Sequence, residues 1–328
     1  MPVTLYPMKF RPILKQVLWG GSKICSYKNL DLQESKVGES WEISDVKGSV
    51  SVVAEGALAG MNIDDLLEKY QELFVGEKNY QRFGNEFPLL VKFIDAEQDL
   101  SVQVHPNDEM ARKKHQSNGK TEWWYILDSK PDAYLYAGFN RNIDKQIFSK
   151  SLNDNTVCEL LNKEMVQPGD VFFLPAGRIH SICSGIFLAE VQQTSNVTYR
   201  VWDYNRKDAN GNLRELHTDL ALDSLDYHHY KQYKTSYKTR LNKQVKLQEC
   251  SYFTVNLVEA DTVMSFDYKG LDSFIIWMCV EGSAVYASSK KHKGHITRGE
   301  TILFPACDQP VAVIPEIDRV KFLEIYVE

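Results

Sequence analysis

The sequence predicts a mainly β protein in which two β-barrels, built from short strands, carry helical insertions. Three observations predict it. The chain is dense in short β-branched and aromatic runs separated by turn residues, among them SWEISDV, LLVKFIDA, LSVQVHP, TEWWYILD, DVFFLPA and FLAEVQQ, then TVNLVEA, SFIIWMCVEG, ETILFPA and VKFLEIYV. Many short strands at close spacing make an antiparallel sandwich or barrel. Strict β–α alternation is absent and no G-x-G-x-x-G follows a strand, which sets aside a dinucleotide-binding fold. Finally, GDVFFLPAGRIH from Gly169 is echoed by GETILFPACDQP from Gly299, an internal repeat that implies two related barrels. In the echo Cys307 stands for Gly177 and Pro310 for His180, so only the first barrel keeps that histidine.

Helices enter as insertions. Leu66, Leu67, Tyr70, Leu73 and Phe74 give residues 62–76 one apolar face, with Asn62 or Asp64 as cap and Gly76 as terminator. Residues 144–164 read as one or two short helices and 214–226 as a third. The polar stretch 231–246 reads as a solvated linker, which divides the chain into a first barrel over 1–230 and a second over 247–328.

A hydrophobic fraction of 43% supplies a core, and the net charge of −6 argues against nucleic acid while leaving room for a small anionic ligand held by a few local cations. No apolar run approaches the ~20 residues that cross a bilayer. The opening MPVTLYPMKF lacks the basic start and apolar stretch of a signal peptide, so a cytoplasmic location is expected. The six scattered cysteines form no C-x-x-C pair and are expected as reduced thiols.

The chemistry concentrates in three places. In Gly169–His180 a strand ends at Pro175, Gly177 permits a tight turn, and His180 opens the next strand pointing inward. In Ser101-Val102-Gln103-Val104-His105, alternation puts Ser101, Gln103 and His105 on one face, where three polar groups need solvent or a ligand. In Lys120-Thr121-Glu122, a carboxylate opens an apolar strand. Two histidines and a carboxylate suit zinc, iron(II) or manganese, and ligand type alone leaves the choice open. His115, His228, His229, His292 and His295 lie in polar stretches and are read as having no metal role.

G-x5-P-x-G-x2-H at Gly169 resembles the second motif of the cupin superfamily, a jelly-roll-like barrel. Together, VLWGGSKI, GESWEIS, FPLLVKFIDA, LSVQVHP, GKTEWWY, GDVFFLPAGRIH, TSNVTYRVWDYNR and RELHTDLALD resemble the type I mannose-6-phosphate isomerases, most nearly their short bacterial form, closely over residues 5–230 and loosely beyond. The resemblance implies two cupin barrels with one site, and one zinc held by Gln103, His105, Glu122 and His180. It implies interconversion of mannose 6-phosphate and fructose 6-phosphate. Arg200, Lys120 and Glu190 match catalytic positions, and Ser101 and Arg206 match phosphate contacts. Two departures from the general cupin pattern stand out: Ser184 replaces an asparagine, and Gln103-x-His105 replaces His-x-His, which argues against an iron oxygenase. An aldose–ketose isomerase moves a proton between adjacent carbons, so Glu190 is read as the base, with Lys120 as the other candidate, and Arg200, which stays charged, as the partner of a developing oxyanion. The expected partner is a sugar phosphate, with no nucleic acid and no membrane, for a monomer or homodimer. The alternative is a metal-containing sugar-phosphate-binding cupin without turnover.

Overall fold

The computed structural model describes residues 4–30, 36–207 and 211–328. Its strands form two large six-stranded sheets, each paired with a smaller one. One six-stranded sheet runs in the order Val171–Leu174, Glu122–Ser129, Ile186–Gln193, Leu89–Ala96, Ile13–Gly21, Val37–Ile43. Its five-stranded companion runs Leu161–Met165, Tyr134–Phe139, His180–Ile182, Val102–Val104, Tyr199–Trp202. Trp124, Ile126, Leu188 and Ile94 from the first meet Leu135, Ala137 and Ile182 from the second in one buried cluster.

Period-two alternation explains the layers. Along Glu122–Ser129, Trp124 and Ile126 face that cluster, whereas Trp123 and Tyr125 face the opposite way. The opposite face meets the second six-stranded sheet, in a core where Val91, Phe93, Trp123 and Val191 pack with Val255, Leu257, Ile276 and Leu323. A third cluster joins that second sheet to a four-stranded one, with Trp277, Phe304 and Phe322 against Ala284, Tyr286 and Val313. The strands buried on both faces, such as Leu89–Ala96 with every residue buried, therefore read as continuous runs rather than alternating ones.

The repeat is geometric as well as sequential. Val171–Leu174 and Thr301–Phe304 are equivalent strands, each preceded by a glycine with positive φ, Gly169 at 92° and Gly299 at 86°. Across each large sheet runs a comparable row of opposed residues. In the first it is Trp41, Lys92, Glu190, Trp124, Phe172, and in the second Lys246, Asn256, Glu324, Trp277, Ile302.

Several local expectations change. The helix expected over 62–76 is two, Ile63–Tyr70 and Glu72–Val75, because Gln71 takes a positive φ of 47°; Leu73 then turns outward, 55% exposed. Asn62 is the cap, accepting from the Asp65 amide at 2.7 Å. Residues 144–164 do hold two short helices, the α-helix Lys145–Asn153 and the 3₁₀ helix Val157–Leu160, but the end of the stretch opens the strand Leu161–Met165. His115 ends a helix, Asp108–His115, rather than sitting in a loop, although it is exposed. The polar stretch 231–246 packs against the first pair of sheets rather than standing free: Tyr233 is buried and donates to the Phe139 carbonyl at 2.8 Å, Lys234 pairs with Asp170 at 2.7 Å, and Lys243 already begins the strand Lys243–Glu249. The first strand, Met8–Lys9, pairs with Thr301–Phe304, so the N-terminal segment also serves the C-terminal sheet. None of the six cysteines forms a disulfide. None of the described helices is long and apolar enough to cross a membrane.

Candidate metal centre and substrate pocket

His105, Glu122 and His180 converge from different strands, and each offers a ligand atom within 4.8 Å of the others. Register explains the convergence. His180 lies opposite Gln103 in the five-stranded sheet, and Glu122 opens its strand on the facing sheet, beside Gln192. Gly177 makes the turn before His180 at φ 89°, a left-handed backbone suited to glycine, and its amide donates to the His105 carbonyl at 2.9 Å. A Cβ there would stand 2.9 Å from the Ser224 carbonyl oxygen.

The hydrogen bonds fix the tautomers. His105 Nδ1 lies 3.0 Å from the Val197 carbonyl and His180 Nδ1 lies 2.9 Å from the Arg178 carbonyl. A carbonyl only accepts, so each Nδ1 carries a proton, and each Nε2, which faces a donor (Lys120 Nζ for His105, the Gln103 amide nitrogen for His180), is turned toward Glu122 as an acceptor. Burial and the nearby Lys120 ammonium push the His105 pKa down to about 3, which keeps that ring neutral. Burial favours the acid form of Glu122, but the charges around it, the Lys120 ammonium first among them, hold the carboxyl well below its ordinary range.

This leaves Glu122 Oε1 buried, 3.0 Å from the accepting His180 Nε2 and without a hydrogen-bond donor. Two acceptors facing each other in a dry interior need a cation. Lys120 supplies one on the other side, with Nζ 2.6 Å from Glu122 Oε2 and 3.0 Å from His105 Nε2. The Gln103 amide nitrogen lies 3.2 Å from His180 Nε2; turning that amide about its own axis would present its oxygen instead. The donor set of two imidazoles, a carboxylate and an amide oxygen therefore fits a divalent metal.

A cavity of about 360 Å³ opens beside this cluster, and Ser101, Gln103, Lys120, Glu190 and Arg200 line it. His180, Gln103 and Arg200 form one cross-strand row on one sheet. On the other, Glu190 accepts from Trp124 Nε1 at 2.9 Å and faces Lys92 at 2.9 Å. Arg200 gives Nη1 to the Glu215 carbonyl at 2.9 Å, while its buried Nε has no partner among the described residues. Burial and the neighbouring Arg214 lower the Arg200 pKa. Arg206 is not among the lining residues: it pairs with Asp203 and donates to the Asp99 carbonyl.

Sequence reasoning missed three charged members of the pocket: Glu39, Lys92 and Arg214. Lys92 lies between Glu190 and Glu39, 3.4 Å from the latter, with its Nζ 5.2 Å from the centre of the Trp41 ring. Burial disfavours this ammonium, but the two carboxylates overcome it and raise its pKa above the ordinary lysine value. Burial likewise disfavours the Glu39 carboxylate, but Lys92 and the Trp41 indole lower its pKa overall.

Comparison with known proteins gives the lineage. Residues 8–147 match the catalytic domain of type I phosphomannose isomerase. Over 306 residues the chain is 34% identical to mannose-6-phosphate isomerase ManA of Bacillus subtilis, covering 92% of this chain and 94% of that protein. The chain belongs to the type I mannose-6-phosphate isomerase family. A Streptococcus mutans mannose-6-phosphate isomerase is 35% identical over 219 residues, 67% of each chain. A crystal structure of the mannose 6-phosphate isomerase from Bacillus subtilis superposes with a TM-score of 0.87 at 29% identity, covering 98% of this chain and 99% of that one. The mainly β fold with its several sheets is thus the fold of this isomerase family.

Proposed function

We propose that the chain is a metal-dependent isomerase that interconverts mannose 6-phosphate and fructose 6-phosphate. The observation that carries this reading is the buried His105–Glu122–His180 cluster, with two accepting imidazole nitrogens and an orphaned carboxylate oxygen, at the edge of a pocket rich in both cations and carboxylates. Kinship with proteins named mannose-6-phosphate isomerase supports it.

His105, Glu122, His180 and Gln103 would hold the metal, and zinc suits two neutral imidazoles with oxygen donors and an open position. When bound, it supplies Lewis-acid stabilisation of charge on the sugar oxygens. The remaining work falls to side chains. Glu190, paired with Lys92 and oriented by Trp124, is the group that takes the proton from one carbon and returns it to the next. Lys120, already beside Glu122, follows the proton on the sugar oxygens. Arg200 cannot serve as a base and instead faces the oxyanion of the enediol-like intermediate. Ser101 donates toward the phosphate end, and the walls Trp19, Ile94 and Trp124 limit water around the reacting carbons.

The test is a coupled assay for fructose 6-phosphate formation on protein of measured metal content. Turnover that disappears on chelation and returns with zinc is expected. Metal-replete protein without turnover would leave only a binding role.

A further inference from the structure

A sugar phosphate brings a dianion into this pocket, so something must neutralise it. The lining residues offer four cations: Lys92, Lys120, Arg200 and Arg214. Lys92 is committed to Glu190 and Glu39, and Lys120 to Glu122. That leaves the two arginines.

Arg214 is built into place. Its Nε donates to Asp203 Oδ2 at 2.7 Å and its Nη2 to Asp203 Oδ1, a two-pronged pairing that fixes the plane of the guanidinium. The third nitrogen, Nη1, has no partner among the described residues. Asp203 is buried and lies one residue past the strand Tyr199–Trp202 that carries Arg200. The backbone closes the same loop: the His217 amide donates to the Arg200 carbonyl at 2.8 Å, and the Arg200 amide to His217 Nδ1 at 3.1 Å. Asp203 also takes Arg206, but that guanidinium spends its nitrogens on Asp203 and on the Asp99 carbonyl. One carboxylate thus serves two arginines, and the assembly keeps a net positive charge.

Arg200 faces the reacting oxygens. We propose that Arg214, and not Arg206, is the arginine that binds the substrate's phosphate group, with Asp203 as the residue that positions it. Arg214 lies close enough to Arg200 to lower the Arg200 pKa, and an anion held by Arg214 relieves that cost. The proposal rests on the isomerase reading for the identity of the substrate, but the anion site itself can be measured without turnover.

The experiment pairs calorimetric titration of inorganic phosphate with isomerase kinetics on the metal-loaded wild type, Arg214→Ala, Arg214→Lys, Arg206→Ala and Asp203→Asn. In Arg214→Ala, phosphate affinity falls about tenfold or more, as expected for one charge-assisted contact. KM for mannose 6-phosphate rises by a similar factor while kcat changes much less. Arg214→Lys recovers part of the affinity, and Asp203→Asn shows a weaker version of the same KM effect. The split between KM and kcat separates binding from general damage, and metal content and melting temperature report folding. Arg214→Ala with wild-type phosphate affinity overturns the proposal, as does a larger loss in Arg206→Ala. If the wild type binds phosphate through Arg214 but turns over no mannose 6-phosphate, the functional reading fails and the anion site stands.

Discussion

Lys92→Met isolates the charge that the sequence concealed. Methionine keeps much of the length and apolar volume but removes the ammonium that Glu190 and Glu39 share at 2.9 and 3.4 Å. The Lys92 and Glu190 side chains are 7% and 3% exposed, so solvent screens this pair little. Removing one partner of a buried pair costs about 3–5 kcal/mol. Proton uptake caps that cost: neutralising a carboxylate of ordinary pKa at pH 7 takes about 3.7 kcal/mol, but only about 1 kcal/mol at pH 5. The sign follows from the protons. Without Lys92 burial prevails at the carboxylates it leaves behind, Glu39 loses the charge that chiefly lowers its pKa, and the folded variant binds a proton more readily than the unfolded chain, so it loses stability as pH rises. The deficit should therefore be about 3–4 kcal/mol at pH 7, a fall in Tm of roughly 4–6 °C, and should shrink toward about 1 kcal/mol at pH 5. Glu324 gives an internal precedent: it occupies the equivalent place in a row with Asn256 instead of lysine, and burial raises its pKa despite hydrogen bonds from Tyr268, Asn256, Gln244 and Trp277. The assay is thermal and urea unfolding of wild type, Lys92→Met and Lys92→Met/Glu190→Gln between pH 5 and 8. The double variant should recover much of the loss at pH 7. A Lys92→Met protein as stable as wild type at pH 7, or a deficit that grows toward pH 5, would refute the shared-charge account.

Other expectations follow from single contacts. His180→Ala should lower metal affinity by well over tenfold, read by competition with a chromogenic chelator, because it removes one of three buried ligands. Arg200→Ala should retain metal while turnover falls by about a hundredfold or more, the scale of losing an oxyanion partner; unchanged kcat would remove Arg200 from the chemistry. Gly177→Ala should destabilise by about 1–2 kcal/mol in urea titrations, since φ is 89° and the new methyl meets a backbone oxygen. Asp45, whose pKa is pushed up to about 8 by burial and by Asp64, holds a proton in the folded state that it loses when unfolded, so it makes stability fall as pH rises from about 4 to 8. Asp45→Asn should flatten that slope, and a slope identical to wild type would count against the assignment.

The candidate metal cluster was legible in the sequence because each of its residues sits where local chemistry shows. His180 follows a strand, a proline and a turn glycine; Gln103 and His105 alternate with valines; Glu122 opens a strand. Lys92 was not legible, since the run LLVKFIDA is buried on both faces and shows no alternation. Its partners Glu190 and Trp41 are set by strand register, a long-range property. Arg214 opened the stretch 214–226, which read as a helix; both it and Arg206 pair with buried Asp203, and what separates them is that Arg214 lines the pocket. The helix Asp108–His115 escaped notice because it buries only Ala111 and so carries no apolar stripe. The resemblance to a family of isomerases supplied Arg200 and Glu190, which no local pattern would have singled out.

The central claim is that the His105–Glu122–His180 cluster and the adjoining pocket form a metal-dependent isomerase site. One preparation tests it, by measuring metal content and mannose 6-phosphate isomerisation together before chelation, after chelation, and after zinc is restored. The account predicts about one equivalent of bound metal per chain, with activity that falls and returns in step with it. Full activity in metal-free protein, or stoichiometric metal with no isomerisation, would contradict it.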